Sequence, residues 1–83
     1  MYYVYILQSL KDGKTYVGYT SDIEQRLKRH NSGTVAATKH RRPLKLLISE
    51  QFETVQQAKK KELWWKSGAG RRKLKEFFDN QKK

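Results

Sequence analysis

Eighty-three residues without cysteine set the first limits: one domain, roughly 60% of its unfolded surface buried on folding, and no disulfide or thiolate zinc site to brace it. Nineteen Lys and Arg against eight Asp and Glu give a formal net charge of +11, which on so small a body favours a polyanionic partner, most simply nucleic acid. No run is apolar enough to cross a bilayer, the basic segments lack the broad apolar face of a membrane-surface helix, and the first residues lack a signal-peptide pattern, so the cytoplasm is the expected location.

Tyr2 to Ser9 is rich in β-branched and aromatic residues and reads as a strand, as does Lys14 to Tyr19. The Asp12-Gly13 pair between them is a hairpin signal. A two-residue turn there sets Ser9 opposite Tyr16, and alternation then places Tyr5 and Tyr16 on one face. Next, Ser21 and Glu24 stand three apart and fit a capping box, with Asp22 favourable at the positive end of a helix. That helix carries Ile23 and Leu27 one turn apart and stops at Asn31-Ser32-Gly33. Arg26 and His30, also one turn apart, share a face beside the apolar seam.

Thr34 to Arg42 lacks apolar periodicity, ends in Lys39-His40-Arg41-Arg42, and reads as a basic surface loop. Pro43 opens Leu44-Lys45-Leu46-Leu47-Ile48, which suits a buried third strand. Thr54 and Gln57 have capping-box spacing ahead of a second helix over Val55 to Lys66. On it Val55, Ala58 and Trp65 form a stripe, and Glu62 falls inside that stripe. An acid in an apolar face must be paired, reach water at an edge, or bind a metal, and the residues alone leave these open. Ser67-Gly68-Ala69-Gly70 breaks the helix, and Arg71 to Phe78 forms a third, with Leu74, Phe77 and Phe78 on one side. Asp79 to Lys83 is expected to fray. The order is β-β-α-β-α-α, an α+β fold over 1–83.

The acids are scattered over turns and caps, which excludes the carboxylate cluster of a two-metal nuclease, and a thiol nucleophile is impossible. Gly68-Ala69-Gly70 lacks Walker spacing and follows a helix. A nuclease built from this chain needs one metal ligand, one cationic clamp and a base that is not a carboxylate.

Tyr3-Val4-Tyr5, Tyr16-Val17-Gly18, Arg26 and His30 on the first helix and Glu62 on the second, in that order, resemble the GIY-YIG nuclease domain, and in particular its small standalone bacterial members. The resemblance runs from Tyr2 to about Leu74. It departs from the family pattern at Tyr3, where the first Gly of the family name stands, at Leu74, where many members carry Asn, and at Tyr19, where some repair nucleases carry Lys. The fold it implies is a three-stranded antiparallel sheet flanked by three helices.

The resemblance also implies roles. Tyr5 and Tyr16 are active-site phenols, Gly18 allows close packing beside them, Arg26 binds the scissile phosphate, and His30 supports the phenols. Glu62 holds a single divalent ion, Mg²⁺ or Mn²⁺. A phenol near pKa 10 is ionised only about once in a thousand at neutral pH, so a cationic neighbour must favour the phenolate. Tyr16 is read as the base and Tyr5 as the group that orients water or phosphate. Lys39, Arg41, Arg42, Lys66, Arg71 and Arg72 are read as tracking phosphates, which position a substrate without specifying sequence. The expected activity is metal-dependent cleavage of DNA, ahead of RNA, by a monomer that selects DNA structure or nothing, with repair or processing as its setting. A binding module with little cleavage and a basic protein-interaction domain are the rival readings. The mechanism demands that Tyr5, Tyr16, Arg26, His30 and Glu62 converge on one surface.

Overall fold

Val4 and Ile6 point one way from the first strand and Tyr5 and Leu7 the other, and all four are buried. Only a strand lying between two layers can bury both faces. In the computed structural model, which describes residues 1–81, the elements are β1 (Tyr2–Ser9), β2 (Thr15–Thr20), α1 (Ile23–Ser32), β3 (Leu44–Phe52), α2 (Val55–Lys66) and α3 (Gly68–Gln81). The three strands form an antiparallel sheet in the order β2-β1-β3. One face packs Val4, Ile6 and Val17 against Ala58, Trp65 and Leu74 of α2 and α3. The other packs Tyr5, Leu7 and Leu44 with Tyr16 and Leu27 of α1. This is the expected α+β fold, in the expected element order.

The hairpin register differs from expectation. Leu7, not Ser9, lies opposite Tyr16, because the loop spans Leu10 to Gly13 and Ser9 already meets Lys14. Ser9 itself organises the longer loop. Its Oγ accepts the amides of Lys11 at 3.1 Å and Asp12 at 3.2 Å and donates to the Arg41 carbonyl at 2.6 Å. Gly13 closes the loop at φ 75°, a conformation that favours glycine. The shift is two residues, so the side-chain parity is kept and Tyr5 and Tyr16 still share a face.

Other boundaries move for local reasons. Thr20 Oγ1 accepts the Asp22 amide at 3.1 Å, and α1 is capped by Asp22, which accepts from the Gln25 amide at 3.1 Å, in place of the expected Ser21–Glu24 box. Gly33 ends the helix at φ 85°, and Asn31 exchanges two hydrogen bonds with the backbone of Leu44, at 3.0 and 2.8 Å, pinning that end to β3. β3 is an edge strand and not a buried one: Leu44 alone is fully covered, while Lys45, Leu46 and Ser49 are exposed. The Thr54–Gln57 capping box forms at the start of α2.

The break after α2 is one residue, Ser67, rather than four, and Gly68, Ala69 and Gly70 begin α3. Gly70 is needed because a Cβ there would overlap the Trp64 carbonyl and the Trp65 backbone where the two helices cross. With no Gly or Pro after Phe78, α3 extends to Gln81. Lys82 and Lys83, the rest of the expected frayed tail, lie outside the described residues.

Candidate active site

The site begins with a missing side chain. Gly18 lies directly across from Tyr5 in the hairpin, and the Tyr5 ring fills the space above it. A Cβ on Gly18 would stand 2.5 Å from the Tyr5 hydroxyl and 2.7 Å from Cζ. Tyr5 can therefore cross the sheet toward the free edge of β2 while remaining only 2% exposed. Tyr16 sits beside it with ring centroids 6.4 Å apart.

Helix α1 supplies the next two groups. Arg26 and His30 are one turn apart, and their environments diverge. His30 is fully buried; its Nε2 lies 3.0 Å from the Tyr5 hydroxyl and its Nδ1 lies 2.7 Å from Thr38 Oγ1. It also packs at a tilt on the Tyr16 ring, with centroids 5.0 Å apart. Arg26 is half-buried at the cavity wall. Among the described residues it has no carboxylate within ion-pair distance. A guanidinium held in a cavity without a counter-ion is prepared for an anion from outside.

Glu62 arrives from the opposite face of the sheet. Ala58 and Trp65 anchor α2 in the core, and the Trp65 indole donates to Glu50 of β3 at 2.7 Å. Glu62 shares their stripe, which turns it toward the β2 edge with its side chain 15% exposed and Lys66 Nζ 3.6 Å from Oε1. Tyr5, Tyr16, Gly18, Tyr19, Arg26 and Glu62 line one cavity of about 270 Å³. The demand for convergence is met by four of the five side chains. His30 is not on the cavity wall and lies behind it against both phenols, hydrogen-bonded to Tyr5 and packed on Tyr16.

Burial, and after it the neighbouring Tyr16, push the Tyr5 phenol up to about 12 against the pull of Arg26. Burial, helped by Arg26, lowers the pKa of His30, so the imidazole is held neutral. The buried Tyr5 is therefore a poor candidate for a phenolate.

A family model for the GIY-YIG catalytic domain matches residues 1–75. The chain belongs to the GIY-YIG family. A UPF0213 protein of Staphylococcus saprophyticus is 44% identical over 89% of this chain and 90% of its own length. The UPF0213 protein YazA of Bacillus subtilis is 40% identical over 88% of this chain and 73% of its own. The solution NMR structure of a UPF0213 protein from Bacillus halodurans is 36% identical and superposes with a TM-score of 0.54, covering 93% of this chain and 85% of that one. The GIY-YIG domain is a nuclease fold, and its nucleases act on nucleic acid.

Among the described residues, Glu62 is the one carboxylate on the wall of this GIY-YIG cavity that could hold a divalent ion. Glu62 offers a single hard carboxylate, and among the described residues no three His, Asp or Glu cluster as a ligand cage. Mg²⁺, which keeps most of its waters and takes one or two carboxylates plus substrate phosphate, fits that donor set and a cavity of this size.

The basic residues expected to track phosphates are dispersed. Lys39 and Arg42 line a second concavity of about 480 Å³ with Lys11, Asn31, His40 and Pro43. Arg41 pairs with Asp12 at 3.3 Å, and Lys66 pairs with Glu62. Arg71 borders the apolar groove between α3 and the hairpin, and Arg72 is exposed. Tyr19, noted in the sequence only as a departure from the family pattern, lines the cavity. Thr38, which the sequence reading missed, is fully buried against His30 inside a segment read as surface loop. No periodicity marks Thr38, since turns at Val35 to Arg41 bury it. Among the described residues no helix is long and apolar enough to cross a membrane.

Proposed function

We propose that this chain is a divalent-metal-dependent endonuclease that hydrolyses DNA phosphodiester bonds, selecting its substrate by DNA structure or not at all. The observation that carries the reading is the guanidinium of Arg26, without a carboxylate partner among the described residues, lining one small cavity with Glu62 and two phenols. Arg26 grips the non-bridging oxygens of the scissile phosphate in a charge-assisted fork. Tyr5, kept protonated by its burial, orients the attacking water or the phosphate. Tyr16, the more accessible of the two, acts as its phenolate. It takes the proton of that water as the water oxygen bonds to phosphorus and one ester P–O bond breaks, the departing oxygen then taking a proton from solvent. Glu62 holds Mg²⁺, or Mn²⁺, which when bound stabilises negative charge on the departing oxygen. His30 acts through Tyr5 and is a positioning residue. The concavity with Lys39 and Arg42 contacts flanking phosphates, which fits preference by shape rather than by base sequence.

The test is a Mg²⁺-dependent cleavage assay over duplex, flap, branched and single-stranded DNA and matching RNA. Cleavage is expected on at least one DNA form, with Glu62→Gln and Arg26→Ala each losing about 100-fold or more in rate, the scale of a removed charge-stabilising group. Strongly salt-dependent binding without cleavage of any substrate overturns the enzyme and leaves a binding module. One sharp sequence-dependent cut overturns the structure-selective part. Chelation that leaves the rate unchanged overturns the metal.

A further inference from the structure

The buried chain of polar groups behind the cavity has a direction, and hydrogen counting supplies it. Thr38 is fully buried, and among the described residues the one hydrogen-bond partner of its Oγ1 is His30 Nδ1, at 2.7 Å. A threonine hydroxyl carries one hydrogen and can also accept. If Nδ1 bore the imidazole proton and donated to Thr38, the Thr38 hydrogen would be buried with nothing to bind, the more costly arrangement. Thr38 therefore donates to Nδ1. The imidazole is neutral, so its single proton is on Nε2, which lies 3.0 Å from the Tyr5 hydroxyl and donates to it. Tyr5 then accepts from behind, and its own O–H is free to point into the cavity beside Arg26, Tyr16 and Glu62.

We propose that Thr38 is a positioning residue that locks His30 in its Nε2–H tautomer and so makes Tyr5 a hydrogen-bond donor to the substrate or its water. The opposite polarity, with Tyr5 passing its proton to His30, would make Tyr5 a base. The Thr38 lock forbids it. Accepting from His30 also polarises the Tyr5 O–H and strengthens the bond that it donates. This deepens the nuclease reading and rests on it for the consequence to catalysis, while the tautomer itself is a property of the free protein.

The experiment is long-range ¹H–¹⁵N NMR of the histidine-labelled full chain above neutral pH, in the parent and in Thr38→Val and Thr38→Ser. The parent and Thr38→Ser are expected to show a protonated Nε2 and a bare, accepting Nδ1 for His30. Thr38→Val, which has the same shape but no hydroxyl, is expected to lose that signature or mix the two tautomers. On a cleaved substrate Thr38→Val is expected to lower kcat by about tenfold, the scale on which partners that orient a functional imidazole act, with KM held and Thr38→Ser restoring the rate. A protonated Nδ1 in the parent overturns the proposal whether or not Thr38→Val folds. Full kcat in a folded Thr38→Val overturns the catalytic consequence. A chain that cleaves nothing while showing the Nε2–H tautomer overturns the nuclease reading and leaves the tautomer lock standing.

Discussion

Replacing Gly18 with alanine tests the packing on which the cavity rests. In an ordinary strand interior the change would stabilise the protein by about 0.5–1 kcal/mol, because glycine loses more freedom on folding. Here the new methyl would stand 2.5 Å from the Tyr5 hydroxyl, against an ordinary contact of 3.4 Å or more, so the ring must retreat by about 1 Å. That ring is buried between the sheet and α1 and tethered to His30 at 3.0 Å. Overpacking of this kind costs about 1–3 kcal/mol, and loosening the buried hydrogen bond adds about 1 kcal/mol. Set against the small gain, the net expectation is a loss of about 2 kcal/mol. Urea unfolding followed by tryptophan fluorescence measures it directly. The same substitution in a Tyr5→Leu background, where no ring crosses β2, should be neutral or stabilising by up to about 1 kcal/mol, which makes the pair strongly non-additive. If Gly18→Ala is as stable as the parent, the account of why the hairpin carries a glycine at that position is wrong.

Gly70→Ala should destabilise by about 3 kcal/mol, since backbone atoms of Trp64 and Trp65 cannot swing aside as a side chain can; an unchanged melting temperature would show that α3 slides away at little cost. His30 is held neutral with its folded pKa below the usual 6.5, so its contribution to stability is fully present above that pH and is lost as pH falls through the folded value. The urea midpoint should therefore drop between pH 7.5 and 5, and the drop should flatten in His30→Gln; equal slopes in the two proteins would refute it. Lys66→Met removes the cation 3.6 Å from Glu62 and, because the lysine is half exposed, should change stability by less than about 1 kcal/mol. Its Mg²⁺ requirement in cleavage should fall, and a higher requirement would mean that Lys66 supports the site instead of competing for Glu62.

Much of this was legible in the residue order. Period-two and helical patterns placed every element, and the Gly33 stop of α1 and the Thr54–Gln57 box of α2 were legible, whereas the cap of α1 falls on Asp22 instead of Ser21 and the break after α2 shrinks to Ser67. The acid inside the α2 stripe marks that face as unusual, and the structure finds it both ion-paired and at a cavity wall. Three things were hidden for physical reasons. Ser9 shifted the hairpin register through hydrogen bonds to its own loop, a side-chain effect that the Asp-Gly pair does not report. The apolar run at Leu44 to Ile48 does not say whether a strand ends up central or at an edge, since pairing partners decide that. Thr38 belongs to no repeat, and its burial follows from where His30 points, 8 residues away in sequence.

The cavity sits against β2, a strand with a neighbour on one side only. Its outer row of amides and carbonyls is a template on which any other extended chain could add itself, including a second copy of this protein. Mutual repulsion is the defence: molecules carrying a net +11 resist meeting edge to edge, and the strand is only six residues long. Charge reversals made to weaken nucleic-acid binding would therefore remove a guard against self-association as well, and loss of solubility should accompany loss of affinity as the net charge approaches zero.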